Sequence, residues 1–190
     1  MNEVLLILTD DWADWEASYA IAEINKSKKY RIKTVAVDKN PKVSIGGIRA
    51  EIDEMISENL PLDDVSMLIL PGGFSWSENR YDVIAALVRR AAAAGIPVAA
   101  ICGGAVFLGK HGFLDKVRHN GDTLEYFLQQ KEYHAQDYYV AKQAVSDGGF
   151  ITANETAALE FAYEIFKALK MDDDAAIDSW YDTYKNGMMR

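Results

Sequence analysis

Residues 98–105 read VAAICGGA: four apolar residues, then the chain's one cysteine, two glycines and an alanine. Gly95 and Pro97 punctuate the run on one side and Gly103-Gly104 on the other. A short, continuous apolar run bounded in this way is expected of a strand buried on both faces. Apolar residues resume at once and continue helically to about Lys110, so the segment predicts a strand, a tight turn and a helix, with Cys102 at the turn. A nucleophile in that position needs very small neighbours, because the backbone is strained and other elements approach it closely. Ala99, Ala100, Gly103, Gly104 and Ala105 supply them. The free N–H groups and dipole of the helix N-terminus are expected to favour the thiolate and lower the pKa of Cys102. The N–H of Gly103 is placed to receive charge on an oxyanion. The competing reading is a buried, inert cysteine.

Outward from this segment the chain alternates apolar runs with amphipathic stretches. Residues 4–8, 31–37 and 67–70 predict three further strands, and residues 43–50, with Gly46-Gly47, a small hairpin. Helices are expected over about 14–28, 81–94, 157–169 and 173–185, the last anchored by Trp180 and Tyr184. Residues 144–146 and 150–152 flank Asp147-Gly148-Gly149 as a second hairpin. Strands alternating with helices of this length imply βαβ units and a mostly parallel, doubly wound sheet with helices on both faces. With no repeat, low-complexity tract or linker, residues 1–190 read as a single α/β domain.

Composition narrows the function. The 190 residues are 49% hydrophobic and 26% charged, enough apolar material for a real core. A net charge of −9 lacks the basic footprint of a nucleic-acid binder. No apolar run approaches the roughly 18 residues of a membrane span. The opening MNEVLLILTDDW has no basic region ahead of its short apolar run and does not read as an export signal. A lone cysteine then points to the reducing cytoplasm. One cysteine and histidines at 111, 119 and 134 form no zinc motif, so no metal is expected.

Ligands of open parallel sheets sit beyond the carboxyl ends of the strands. Besides Cys102, two strand ends stand out. Strand one runs into Asp10-Asp11-Trp12-Ala13-Asp14-Trp15-Glu16, and LILPGGF (68–74) ends in Pro71-Gly72-Gly73. Glu16, expected in the first turn of a helix, is by default a surface carboxylate that complements the helix dipole. Next to Trp12 and Trp15 it gains a drier setting in which a carboxyl pKa rises. The Pro-Gly-Gly turn either simply ends a strand or turns bare N–H groups into the crevice.

The strand-one loop leading to Glu16, LILPGGF, the elbow AAICGGAVFLGKHGFLD (99–115) and AVSDGGFITANETAALEFAYEIFKAL (144–169) together resemble the PfpI/ThiJ family of the class I glutamine amidotransferase-like superfamily. The resemblance spans residues 4–169 and implies a flavodoxin-like fold. It further implies that Cys102 is the nucleophile and that Glu16, protonated, hydrogen-bonds it. Gly73 and Gly103 match the oxyanion-binding positions. His119, in a turn that faces the pocket in related proteins, becomes the candidate acid or base, with Asp122 orienting it only if that turn folds back. Members treated as peptidases carry a histidine directly after the cysteine; here it is Gly103, which counts against general peptidase activity.

The expected function is therefore cysteine-dependent hydrolysis of a small carbonyl, amide or ester substrate, of the hydrolase or amidase kind, with no cofactor. Cofactor-free glyoxalase or deglycase-type aldehyde chemistry is the close variant. A non-enzymatic thiol redox sensor or stress protein is the alternative of another class. The aromatic residues Trp12, Trp15, Tyr133, Tyr138 and Tyr139 read as core or subunit contacts, and a homodimer is expected. Nucleic acid and membrane are not expected partners.

Overall fold

The computed structural model describes residues 2–188. Its central feature is a sheet in the order β5-β2-β1-β6-β7-β9-β8, formed by β1 (Asn2–Ile7), β2 (Tyr30–Ala36), β5 (Glu54–Met55), β6 (Val65–Leu70), β7 (Val98–Ile101), β8 (Ala144–Asp147) and β9 (Phe150–Ala153). Every pairing is parallel except β8 with β9. That edge hairpin turns through Gly148 (φ 55°) and Gly149 (φ 85°). Two successive positive φ values match the twist of flanking strands and suit glycine. The separate pair β3 (Lys42–Val43) and β4 (Arg49–Ala50) is the small antiparallel hairpin.

Period-two alternation along β1 and β6 sorts their side chains to two cores. Leu5, Ile7, Leu68 and Leu70 pack with α2 (Asp82–Ala93) and α3 (Gly103–Lys110), through residues such as Ile84, Val88, Phe107 and Leu108. Val4, Leu6, Met67 and Ile69 pack on the opposite face with α1 (Ser18–Ser27) and α5 (Ala158–Leu169), through Ile24, Phe161 and Ile165. Helices covering both faces of a mostly parallel sheet give the flavodoxin-like, doubly wound architecture. The short α4 (Leu124–Leu128) adds Phe127 to the first core, and α6 (Asp174–Asn186) packs on α5. Ala176 N–H donates to Asp173 at the start of α6, as an N-cap requires.

Three elements differ from the sequence reading, the short α4 among them, which no pattern in the chain singled out. β5 is two residues long and carries no apolar run, so nothing in the pattern announced it. The first helix starts at Ser18 rather than near Asp14, because the preceding backbone is used elsewhere. Trp12 bridges both Ser44 and Gly73. Asp11 N–H donates to Val43 O (3.0 Å), Ile45 N–H to Trp12 O (2.9 Å) and Ala13 N–H to Gly72 O (3.0 Å). A segment whose donors and acceptors are taken by two neighbours cannot wind into a helix. The strand-one loop is thereby fixed between the β3–β4 hairpin and the turn after β6.

The strands' carboxyl ends meet at glycines. A Cβ on Gly104 would sit 2.5 Å from Leu70 O, inside backbone that cannot swing away. Gly104→Ala is expected to cost about 1–3 kcal/mol of stability, as overpacking against fixed neighbours does. Urea unfolding checks this: the midpoint should fall while the slope with denaturant stays unchanged.

Candidate active site

Cys102 has φ 54° and ψ −127°, a conformation that L-residues avoid, at the junction of β7 and α3. Neighbouring hydrogen bonds hold it there. Its N–H donates to Ala153 O (2.9 Å), and its carbonyl accepts from Ala105 N–H (2.9 Å) and Val106 N–H (3.2 Å). Strain of this sort persists only where the surroundings over-determine it, and it concentrates at functional positions. The half-buried side chain accepts from Gly103 N–H.

Glu16 lies in the strand-one loop ahead of α1, not in the first turn of that helix, and is 1% exposed. Gly72 N–H donates to its Oε2 at 2.5 Å. A Cβ on Gly72 would fall 2.6 Å from that same oxygen and 2.8 Å from Cys102 Sγ, so carboxyl and thiol crowd one bare glycine. Glu16 Oε1 has no hydrogen-bond partner. Burial pushes the Glu16 pKa up to about 7, against the Gly72 N–H, which favours the carboxylate. The default reading of Glu16 as a surface carboxylate is therefore wrong.

Gly73 (φ 147°) packs against Asp11 O, which a Cβ would approach to 2.5 Å. The Trp12–Gly73 bridge uses Ala13 N–H and Phe74 N–H as donors and leaves the Gly73 N–H out. That N–H lies 3.7 Å from the point where Gly103 would carry a Cβ. Gly73, Gly103, Cys102 and Glu16 all line one cavity of about 530 Å³, with Trp15, Trp76, Phe107 and Tyr126 as aromatic wall. Trp76 is locked by its Nε1–H to Pro71 O (2.9 Å) and by ring contact with Phe107 at 4.8 Å.

His119 does not join them. It is fully buried, and it is not among the residues that line the cavity. Its Nδ1 lies 2.8 Å from Val117 O, an acceptor, so Nδ1 carries the proton. Nε2 then accepts from the Tyr133 hydroxyl at 2.8 Å. Burial lowers its pKa and keeps the ring neutral. With both nitrogens engaged, His119 is a packing residue among Phe127, Tyr133 and Tyr139. His111 stacks on Phe107 (4.4 Å) with Nε2 3.2 Å from Asp82, also off the cavity lining.

Asp122, which could orient His119 only if the turn folded back, stands instead at the thiol. Asp122 lines the cavity and interacts with Cys102, and burial beside Glu155 pushes its pKa up to about 6. Glu155 lines the same cavity. Neither residue carried a local signal, since one precedes α4 and the other follows β9, and only the fold brings them together.

These carboxylates also reverse the expected thiol chemistry. Burial pushes the Cys102 pKa above its ordinary value, and the charges of Glu16 and Asp122 push the same way. The Gly103 N–H opposes them and does not prevail. Burial and the carboxylates thus act against the lowering that the helix N-terminus would give, and they favour the thiol over the thiolate.

The DJ-1/PfpI family pattern matches residues 2–168. An uncharacterized protease of Bacillus subtilis is 34% identical over 94% of this chain and 88% of its own length. Among solved structures, a DJ-1 superfamily protein from Agrobacterium tumefaciens aligns over 100% of both chains, with a TM-score of 0.90 and 30% identity. A thiJ/pfpI family protein from Bacillus anthracis covers 97% of this chain and 90% of its own, with a TM-score of 0.87 and 34% identity.

The raised Glu16 pKa has a sign that unfolding can read. From the ordinary 4.5 to about 7 the folded chain keeps the proton that the unfolded chain releases. The resulting stability is complete below the unfolded pKa and is lost as pH climbs through the folded one. Relative to Glu16→Gln, the wild type should therefore lose about 3 kcal/mol between pH 4.5 and 7.5. Urea unfolding of both proteins across that window tests this, and parallel curves would contradict the raised pKa.

Proposed function

The chain belongs to the DJ-1/PfpI family, and on that footing we propose that it is a cysteine-dependent enzyme of small carbonyl compounds, with Cys102 as nucleophile. The observation that carries this reading is Glu16: a buried carboxyl with a pKa of about 7, crowded against a thiol that needs a base. A base whose pKa matches the working pH offers the best compromise between being ionised and being strong enough to take a proton.

In the proposed first step the Glu16 carboxylate takes the thiol proton while sulfur bonds to the carbonyl carbon. The C=O π pair moves to oxygen, where the N–H groups of Gly73 and Gly103 receive the charge. Glu16 then returns the proton to that oxygen, and the product is a hemithioacetal. With an ester, the tetrahedral adduct collapses instead, the alcohol leaves with the proton, and water later cleaves the thioester.

Amide and peptide hydrolysis is the second reading, favoured by the word protease in the names of the relatives. Two observations weigh against it. The cavity, about 530 Å³, has the size of a small-ligand site. No histidine lines it to protonate a departing amine. A redox-sensor role is disfavoured because oxidation proceeds through the thiolate, which burial suppresses here.

Adduct formation with methylglyoxal and turnover of p-nitrophenyl acetate are expected to vanish in Cys102→Ala. Glu16→Gln should lower kcat/KM by roughly 10²–10⁴-fold. The wild-type kcat/KM should rise with pH through an apparent pKa near 7 as Glu16 ionises. A pH profile that is unchanged in Glu16→Gln would remove Glu16 as the base.

Labelling provides a check that needs no substrate. At pH 7 iodoacetamide should react with Cys102 more slowly than with free cysteine, because the thiolate is scarce. Glu16→Gln removes a neighbouring negative charge and should speed the labelling. Faster-than-free labelling of the wild type would show that the helix N-terminus dominates after all.

A further inference from the structure

The proposed chemistry leaves two carboxylates in the cavity without a task. Asp122 touches Cys102 and Glu155, yet its buried Oδ1 has no hydrogen-bond partner among the described residues, and the solvent-exposed Glu155 lines the same wall. Glu16, 1% exposed, likewise lines the cavity with Oε1 unpartnered. Buried polar atoms in folded proteins nearly always find partners, so each orphan oxygen marks a place where a donor belongs. Among the described residues the one basic member of the lining, Lys110, leans toward Asp82, at 3.8 Å. Trp15 and Tyr126, both partly open to solvent, line the same cavity.

Three carboxylates, a drawn-off lysine and aromatic walls form an environment with a definite preference. An ammonium brings three donors and one positive charge. It would satisfy Asp122 Oδ1, neutralise the facing Asp122 and Glu155, and rest against an aromatic face. An anionic substrate would meet repulsion in the same place. We propose that the cavity selects small carbonyl substrates bearing a protonated amine close to the carbonyl, held by Asp122 and Glu155 while Cys102 adds to the carbonyl carbon. This deepens the carbonyl-enzyme reading and rests on it. The raised Asp122 pKa agrees with a carboxylate pair that lacks a counter-charge.

The test compares two aldehydes of one skeleton, 2-amino-4-methylpentanal and 4-methylpentanal, as reversible protectors of Cys102 against iodoacetamide. The ammonium also makes its neighbouring carbonyl more electrophilic. Each aldehyde is therefore scaled by its adduct equilibrium with a free thiol. After scaling, the amino aldehyde should protect at an about tenfold or more lower concentration, as hydrogen bonds to charged groups imply. The preference should shrink with added salt and fall to near unity in the Asp122→Asn, Glu155→Gln double variant. Equal protection by both aldehydes, or a preference that survives in the double variant, would overturn the proposal and leave Cys102 as nucleophile intact. Failure of both aldehydes to protect would instead overturn the nucleophile reading beneath it.

Discussion

Two strand ends in this protein lie closer together than side chains allow. The turn after β6 and the turn after β7 touch through backbone, with Gly104 against Leu70, Gly103 against Gly73, and Gly72 against Cys102. Because neighbouring parallel strands lie about 4.8 Å apart, loops leaving them side by side compete for one volume. Here glycine resolves the competition. The closeness then has chemical results: it brings the Gly72 N–H to Glu16 and the thiol to the same carboxyl. The chain's least bulky residues thus set the distances on which its most reactive ones depend.

Electrostatics in the cavity follows from that contact. A helix N-terminus stabilises a thiolate where the thiol is solvated enough for the dipole to decide. At Cys102 the dipole meets burial and two neighbouring carboxylates, and the sum runs the other way. A thiol held protonated is quiet toward casual electrophiles and oxidants. On the proposed reading its reactivity depends on a partner that ionises near neutrality, a property that burial gives Glu16 by raising its pKa toward 7.

Much of this was readable from residue order. Apolar runs located β1, β6 and β7, and the glycines after Leu70 and Ile101 marked the strand ends that carry the site. Cys102 stood out through its small neighbours, whereas for Glu16 the flanking Trp12 and Trp15 gave only a weak hint that family resemblance strengthened, because its burial depends on a loop pinned by Val43 and Gly72. His119 misled for a related reason. Polar residues in a turn read as solvent-facing or pocket-facing, and nothing local shows that Val117 O and Tyr133 will take both ring nitrogens. Asp122 and Glu155 meet across a gap of thirty-odd positions, a pairing visible only in three dimensions.

The cavity is built of two kinds of material. Its floor, formed by Gly73, Gly103, Cys102 and Glu16 and backed by Gly72 and Gly104, tolerates almost no added atom. Its rim is different: Trp15, Phe74 and Tyr126 are 47%, 77% and 54% exposed, and their outer atoms touch little else. On the proposed reading, substitutions at the rim would change what enters without disturbing what reacts. A chain organised this way can acquire a new preference by single steps, each one passing through a folded and chemically competent intermediate. The rigidity of the floor is what leaves the rim free to diversify.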